Sequence, residues 1–157
     1  GFVVSKCDPR HRKTVFDLLP ENLRSKVWNV GRFDFDTEGL LIMTNDGELT
    51  QALAHPKYEH DKEYEATTQE TPNESQLEKL RQGVEIATGT TYPAEVKIRG
   101  DKIKIIIHEG KKRQIRRMFG AVGLTVKYLK RIRINKFILP ADLLPGKYKL
   151  IDKNDIL

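Results

Sequence analysis

The 157-residue chain is 38% hydrophobic and 32% charged, with a formal net charge of +6 and a pI of about 9.4. That length suits one domain or two closely packed subdomains with a core of their own, and the balance excludes a disordered or fibrous chain. Cys7 is the only cysteine, which excludes an intrachain disulfide; no apolar run reaches the roughly 20 residues of a membrane-spanning helix and no secretory leader opens the chain, so a cytoplasmic protein that meets polyanions is expected.

In chain order, residues 2–5 read as a strand end, and residues 14–19 and 21–26 as helical turns divided by Pro20. A short strand is expected over 27–30. Next comes Gly31-Arg32-Phe33-Asp34-Phe35-Asp36-Thr37-Glu38-Gly39, which sets an arginine and two aspartates directly before the apolar run Leu40-Leu41-Ile42-Met43. Charges at the mouth of a buried strand oppose stability, and such clusters more often serve chemistry. The strand itself is expected over 40–44, followed by the turn Asn45-Asp46-Gly47. A helix over 48–54 would end at His55-Pro56.

Residues 62–68 alternate in strand fashion. Thr71, Pro72 and Glu74 predict a helix start with Thr71 as N-cap and a capping box. Leu77 and Leu80 supply its apolar face, and Gly83 ends it. Residues 94–98 and 102–108 flank Gly100-Asp101 and predict a hairpin, with Ile103, Ile105 and Ile107 on one face. A helix over 112–122 closes at Gly123, a strand runs over 124–134, and a last strand is expected over 148–151. The hairpin argues against an all-parallel sheet, so the class is α+β with a mixed, largely antiparallel sheet.

The helix from Lys112 is the second informative stretch. Ile115, Met118, Phe119 and Val122 share one face, and Arg113, Arg116, Arg117 and Gly120 the opposite one. Arginines near a helix start work against the macrodipole, and their planar forks suit phosphates and carboxylates. Lys127, Lys130, Arg131, Arg133 and Lys136 form a further basic stripe. Aromatics able to stack on bases are few, chiefly Tyr58, Tyr64 and Tyr128, so a long single-strand platform is not expected. No His or Cys cluster has metal-ligand spacing. His55 and His108 read as structural, and Cys7 as a nucleophile is the weaker reading.

These residues resemble a known family. GRFDFDTEGLL (31–41) followed by TNDG (44–47) is similar to the signature loop of pseudouridine synthases of the small-ribosomal-subunit uridine class. Lys62-Glu63-Tyr64 is similar to that family's second motif, and EGKKRQIRRMFGAVG (109–123) to its third. The order matches, and the resemblance spans about 2–151. Phe33 stands where the family usually has leucine. The family's small N-terminal RNA-binding domain and its Asn-Lys-Pro segment are not found before Phe2, so residues 1–157 are expected to be a single catalytic domain.

The resemblance implies two closely packed subdomains, divided near 60–65, flanking a basic catalytic cleft. It implies isomerisation of a uridine in ribosomal RNA on a flipped-out base, by a monomer with no metal or cofactor. Asp34 would be the nucleophile, Tyr64 would stack on the target base, and Arg116 would pair with the catalytic aspartate. Arg32, Lys62, Arg113, Gln114 and Arg117 would contact RNA, and Arg113→Ala would weaken binding. Asp36 is a structural candidate, with capping of a turn before Thr37 as its reading. Two rivals stand beside this: a non-catalytic ribosomal-RNA-binding module, and a metal-dependent nuclease with Asp34 and Asp36 as ligands.

Overall fold

The computed structural model describes residues 1–54 and 60–157. In β8 (Lys102–Ile107), Ile103, Ile105 and Ile107 are buried while Lys102 and Lys104 face outward. That period of two belongs to a sheet with one covered face. β8 pairs antiparallel with β7 (Glu95–Arg99) and with β4 (Lys62–Thr68). On its other side β4 pairs antiparallel with β9 (Val126–Ile134), which pairs with β10 (Phe137–Ile138). The order is therefore β10-β9-β4-β8-β7, and β2 (Glu38–Gly39) joins β9 in parallel. A separate antiparallel pair joins β1 (Trp28–Val30) to β3 (Ile42–Thr44), and β5 (Glu85–Ile86) pairs with β6 (Gly89–Thr90). The α+β class with a mixed, largely antiparallel sheet is what the alternation predicted.

The buried apolar residues form two clusters. The larger packs Leu77 and Leu80 of α3 (Glu74–Gln82) and Ile115, Met118 and Phe119 of α4 (Gln114–Ala121) onto the isoleucine face of β8, with Ala66 and Leu129. The smaller gathers Val30, Leu40, Ile42, Ile134 and Ile156 with Leu49 and Leu53 of α2 (Gly47–Ala54). A short helix, α1 (Glu21–Arg24), and a 3-10 turn, Val15–Leu18, precede β1.

Several expectations needed correction. The strand expected over 40–44 is divided, because Leu40 turns both backbone groups to Arg131: its N–H donates to the Arg131 carbonyl and its carbonyl accepts from Arg131 Nε, each at 2.8 Å. The N-cap of α3 is Asn73, not Thr71; its side chain accepts from Gln76 N while Gln76 Oε1 accepts from Asn73 N, so the capping box runs between those two. α4 starts at Gln114 rather than Lys112, since Arg113 takes a left-handed conformation (φ 52°) and Gln114 Oε1 accepts from Lys111 N. Residues 2–5 contribute a parallel bridge from Val3 to Thr14 and residues 148–151 form no strand, with Tyr148 and Leu150 exposed. The helix stop at His55-Pro56 and the aromatic Tyr58 lie outside the described residues.

One close approach holds the functional loop down. Gly39 has φ +107°, and a Cβ on it would lie 2.2 Å from the Arg131 carbonyl oxygen. Gly39→Ala is expected to cost about 2–3 kcal/mol, from the positive φ and from pushing β2 off β9. Urea unfolding measures it, and an unchanged midpoint would contradict the close approach.

Candidate active site

The loop 31–37 leaves β1 through Gly31 (φ +72°), whose carbonyl accepts from Asn29 Nδ2 at 2.7 Å. A turn follows in which Thr37 N donates to the Asp34 carbonyl at 2.9 Å. This places Asp34 and Asp36 in different environments.

Asp36 is fully engaged. Arg113 grips its two carboxylate oxygens with a two-pronged fork at 3.0 Å each. Arg116 Nε lies 3.2 Å from Asp36 Oδ2, and Arg116 Nη2 donates to the Asp36 carbonyl at 2.5 Å. Arg116 Nη1 also donates to the Val126 carbonyl at 2.9 Å. The Arg113 fork holds the Asp36 carboxyl below its ordinary range, burial opposes this, and the Arg116 charge adds to the lowering. A bidentate guanidinium–carboxylate pair fixes orientation as well as distance. Asp36 thus clamps the loop to the start of α4, a role beyond the turn cap read from the sequence. The expected Arg116 partner, Asp34, is replaced by Asp36. Two residues of chain separate the carboxylates, and spacing alone does not reveal which one reaches the helix.

The Asp34 carboxylate makes no hydrogen bond or ion pair among the described residues. It is half-buried in the wall of a pocket of about 670 Å³. Arg32, Lys62, Tyr64, Arg113, Arg116 and Arg131 line the same pocket. Tyr64 stands directly after a register shift in β4, between Glu63 and Tyr64, and packs against the larger apolar cluster. Such bulges re-aim side chains next to active sites. Lys62 is half-buried beside it, its Nζ donating to the His60 carbonyl at 3.2 Å. Burial, reinforced by the Arg131 charge and opposed by Asp61, lowers the Lys62 pKa from its ordinary value.

Other expectations divide. Gln114 lines the pocket but is buried, its Nε2 donating to Glu109 Oε1 at 2.6 Å; it braces the entrance to α4 and does not offer RNA a free amide. Arg117 is half-buried, carries an unpartnered Nη1 and is not part of the pocket wall. The basic stripe from Lys127 to Lys136 is divided, with Lys127 and Lys136 exposed and the residues between them half-buried or buried. Arg131 is 4% exposed, Arg133 pairs with Glu63 at 2.8 Å, and Lys136 Nζ donates to the Leu157 carbonyl. Tyr128 gives its hydroxyl to Glu38 outside the pocket, and burial with that bond raises its pKa.

Sequence reasoning missed Arg131 as a pocket residue; it shares strand parity with buried Leu129, which was the available signal. It also read His108 as structural. His108 and the exposed Tyr92 both line the pocket, with ring centroids 5.1 Å apart. The exposed thiol of Cys7 lies outside the pocket wall. No helix among the described residues is long and apolar enough to cross a membrane.

A basic pocket that holds the Asp34 carboxylate and a half-buried tyrosine, walled by a mixed sheet and α4, suits a polyanionic ligand. The family described as RNA pseudouridylate synthase matches residues 1–121, and the chain belongs to that family. It is 43% identical over 138 residues to the ribosomal large subunit pseudouridine synthase B of Bacillus subtilis (strain 168), across 83% of this chain and 56% of that protein. It is 37% identical to an uncharacterized RNA pseudouridine synthase of Aquifex aeolicus (strain VF5), across 94% of this chain and 61% of that one. A crystal structure of a pseudouridylate synthase superposes with a TM-score of 0.93 at 30% identity, covering 99% of this chain and 68% of that one. The chain spans roughly half the length of the curated relatives it matches.

Proposed function

We propose that this chain isomerises a uridine of ribosomal RNA to pseudouridine, with Asp34 as nucleophile. The observation that carries the reading is the Asp34 carboxylate, free of hydrogen bonds and ion pairs among the described residues, in a pocket shared with Tyr64 and four guanidinium groups, those of Arg32, Arg113, Arg116 and Arg131. The reaction breaks the bond from uracil N1 to ribose C1′ and makes one from C5 to C1′. The C5 proton leaves, and N1 gains one. A carboxylate serves this by attack at C1′, by attack at C6, or by taking a ribose proton on a glycal route. All three need it ionised.

The base must leave its stack, which costs a few kcal/mol. Stacking on Tyr64 returns roughly 1–3 kcal/mol, so phosphate contacts supply the rest. Arg32 and Lys62 stand at the pocket for this, as does the part of Arg113 left open by Asp36, its side chain being 41% exposed. The names of the relatives support large-subunit RNA as the substrate. The two apolar clusters support two subdomains with a first crossing near 60–65, but the chain returns to the smaller cluster at Ile134 and Ile156, so the division is not a single boundary; the pocket draws residues from both. On this reading the domain works as a monomer in the cytoplasm.

The test is incubation with an unmodified large-subunit RNA transcript carrying tritium at uridine C5. Tritium release and a mapped pseudouridine are expected, undiminished by chelator. Binding without release would support the non-catalytic module. Chelator-sensitive strand cleavage would support the nuclease, which Asp36 already disfavours because its oxygens are committed to two arginines.

A further inference from the structure

Arg131 ties together the parts of the pocket that the chemistry needs to hold in register. On β9 its Cα is opposite Tyr64 of β4 on one side and Gly39 of β2 on the other. Its carbonyl accepts from Leu40 N, and its Nε donates to the Leu40 carbonyl. Its guanidinium lies over the Phe33 ring, 4.4 Å from the centroid. The loop that carries Asp34 is therefore gripped at Phe33 on one flank and Leu40 on the other by one side chain. The absence of a Cβ at Gly39 lets that loop sit against the Arg131 backbone.

Stability alone does not account for this arginine. It is 4% exposed, and its buried Nη2 has no hydrogen-bond partner. An unpartnered buried donor is costly, and native structures retain such groups mainly at working sites.

We propose that Arg131 is a positioning residue that seats Asp34 relative to Tyr64, through the Phe33 stack and the Leu40 bonds. The inference rests on the isomerase reading for its catalytic consequence, and on geometry alone for the seating of the loop. Misplacement of a reacting group by about 1 Å costs about a hundredfold in rate.

Two variants test it: Arg131→Met, which keeps length but loses the charge, the Phe33 stack and the Nε bond to the Leu40 carbonyl while the backbone bond stays, and Phe33→Leu, which removes the stack and leaves the Leu40 bonds. Single-turnover tritium release at saturating large-subunit transcript should fall about a hundredfold in Arg131→Met and about tenfold in Phe33→Leu, with RNA affinity kept within about threefold. Amide exchange at Thr37 and Leu40 should quicken by about tenfold or more in Arg131→Met while β7 and β8 keep their protection. Wild-type rates with unchanged exchange would overturn the proposal. So would a loss confined to RNA affinity, which would make Arg131 a binding contact. A wild-type protein that releases no tritium would sink the isomerase reading instead, and the exchange experiment would still decide whether Arg131 seats the loop.

Discussion

Asp34→Asn is expected to abolish isomerisation, lowering the single-turnover rate by about 10⁴-fold or more, while fold and RNA affinity persist. The amide is nearly isosteric and lacks the nucleophilic oxygen pair. Because the carboxylate makes no hydrogen bond or ion pair among the described residues, its loss should leave stability within about 0.5 kcal/mol. The RNA contacts proposed for Arg32, Lys62 and Arg113 are untouched by the change. The comparison therefore separates chemistry from binding, which a substitution of an arginine does not. Tritium release, filter binding and urea unfolding on one preparation give the three readings. A rate above about 1% of wild type would remove Asp34 from the nucleophile's role.

Asp36→Asn, two positions away, is expected to behave differently. It should lower both stability and rate. The wild-type carboxylate accepts from both prongs of Arg113 and faces Arg116 Nε. A fully buried pair broken on one side costs about 3–5 kcal/mol. Asp36 is 46% exposed, so screening reduces the expected loss to about 1 kcal/mol. The rate should fall about a hundredfold, since the loop loses its clamp to α4. Two guanidiniums are also released beside Asp34, whose charge already acts on Arg113.

The pH dependence follows from the sign of the shift. The Asp36 pKa in the folded chain is lowered from 3.8, first by the Arg113 hydrogen bond. Its stabilising contribution is therefore complete above the unfolded value and disappears as pH falls through the folded one. The stability gap between wild type and Asp36→Asn should hold at neutral pH and close below about pH 3.8. A gap that does not narrow as pH falls below about 3.8 would mean that the carboxylate charge is not its source.

Much of this was legible from local pattern. The β8 isoleucines, the Leu77 and Leu80 face, the Gly83 stop and the apolar face of α4 all follow from period and punctuation. The pocket residues Asp34, Lys62, Tyr64, Arg113 and Arg116 were found through three motifs in order. What local pattern could not show is which partner each charge finds. Asp36 rather than Asp34 reaches Arg116 because the Asp34–Thr37 turn decides which carboxylate points at α4. Arg131 read as one member of a basic stripe because its partners Phe33 and Leu40 are remote in sequence. The Asn73 cap was missed for a smaller reason: two candidate boxes overlap, and the one beginning at Asn73 places Leu77 and Leu80 on the sheet.

The parallel pairing of β2 with β9 has a consequence for how the protein is made. The bond from Arg131 Nε to the Leu40 carbonyl spans 91 positions. Chains emerge from the ribosome N-terminus first, and contacts between distant segments form only after the entropy of closing the intervening loop has been overcome. Asp34, the proposed nucleophile, is synthesised early, but β9, whose Arg131 bonds Leu40, arrives late. The proposed site is therefore incomplete until synthesis has passed β9.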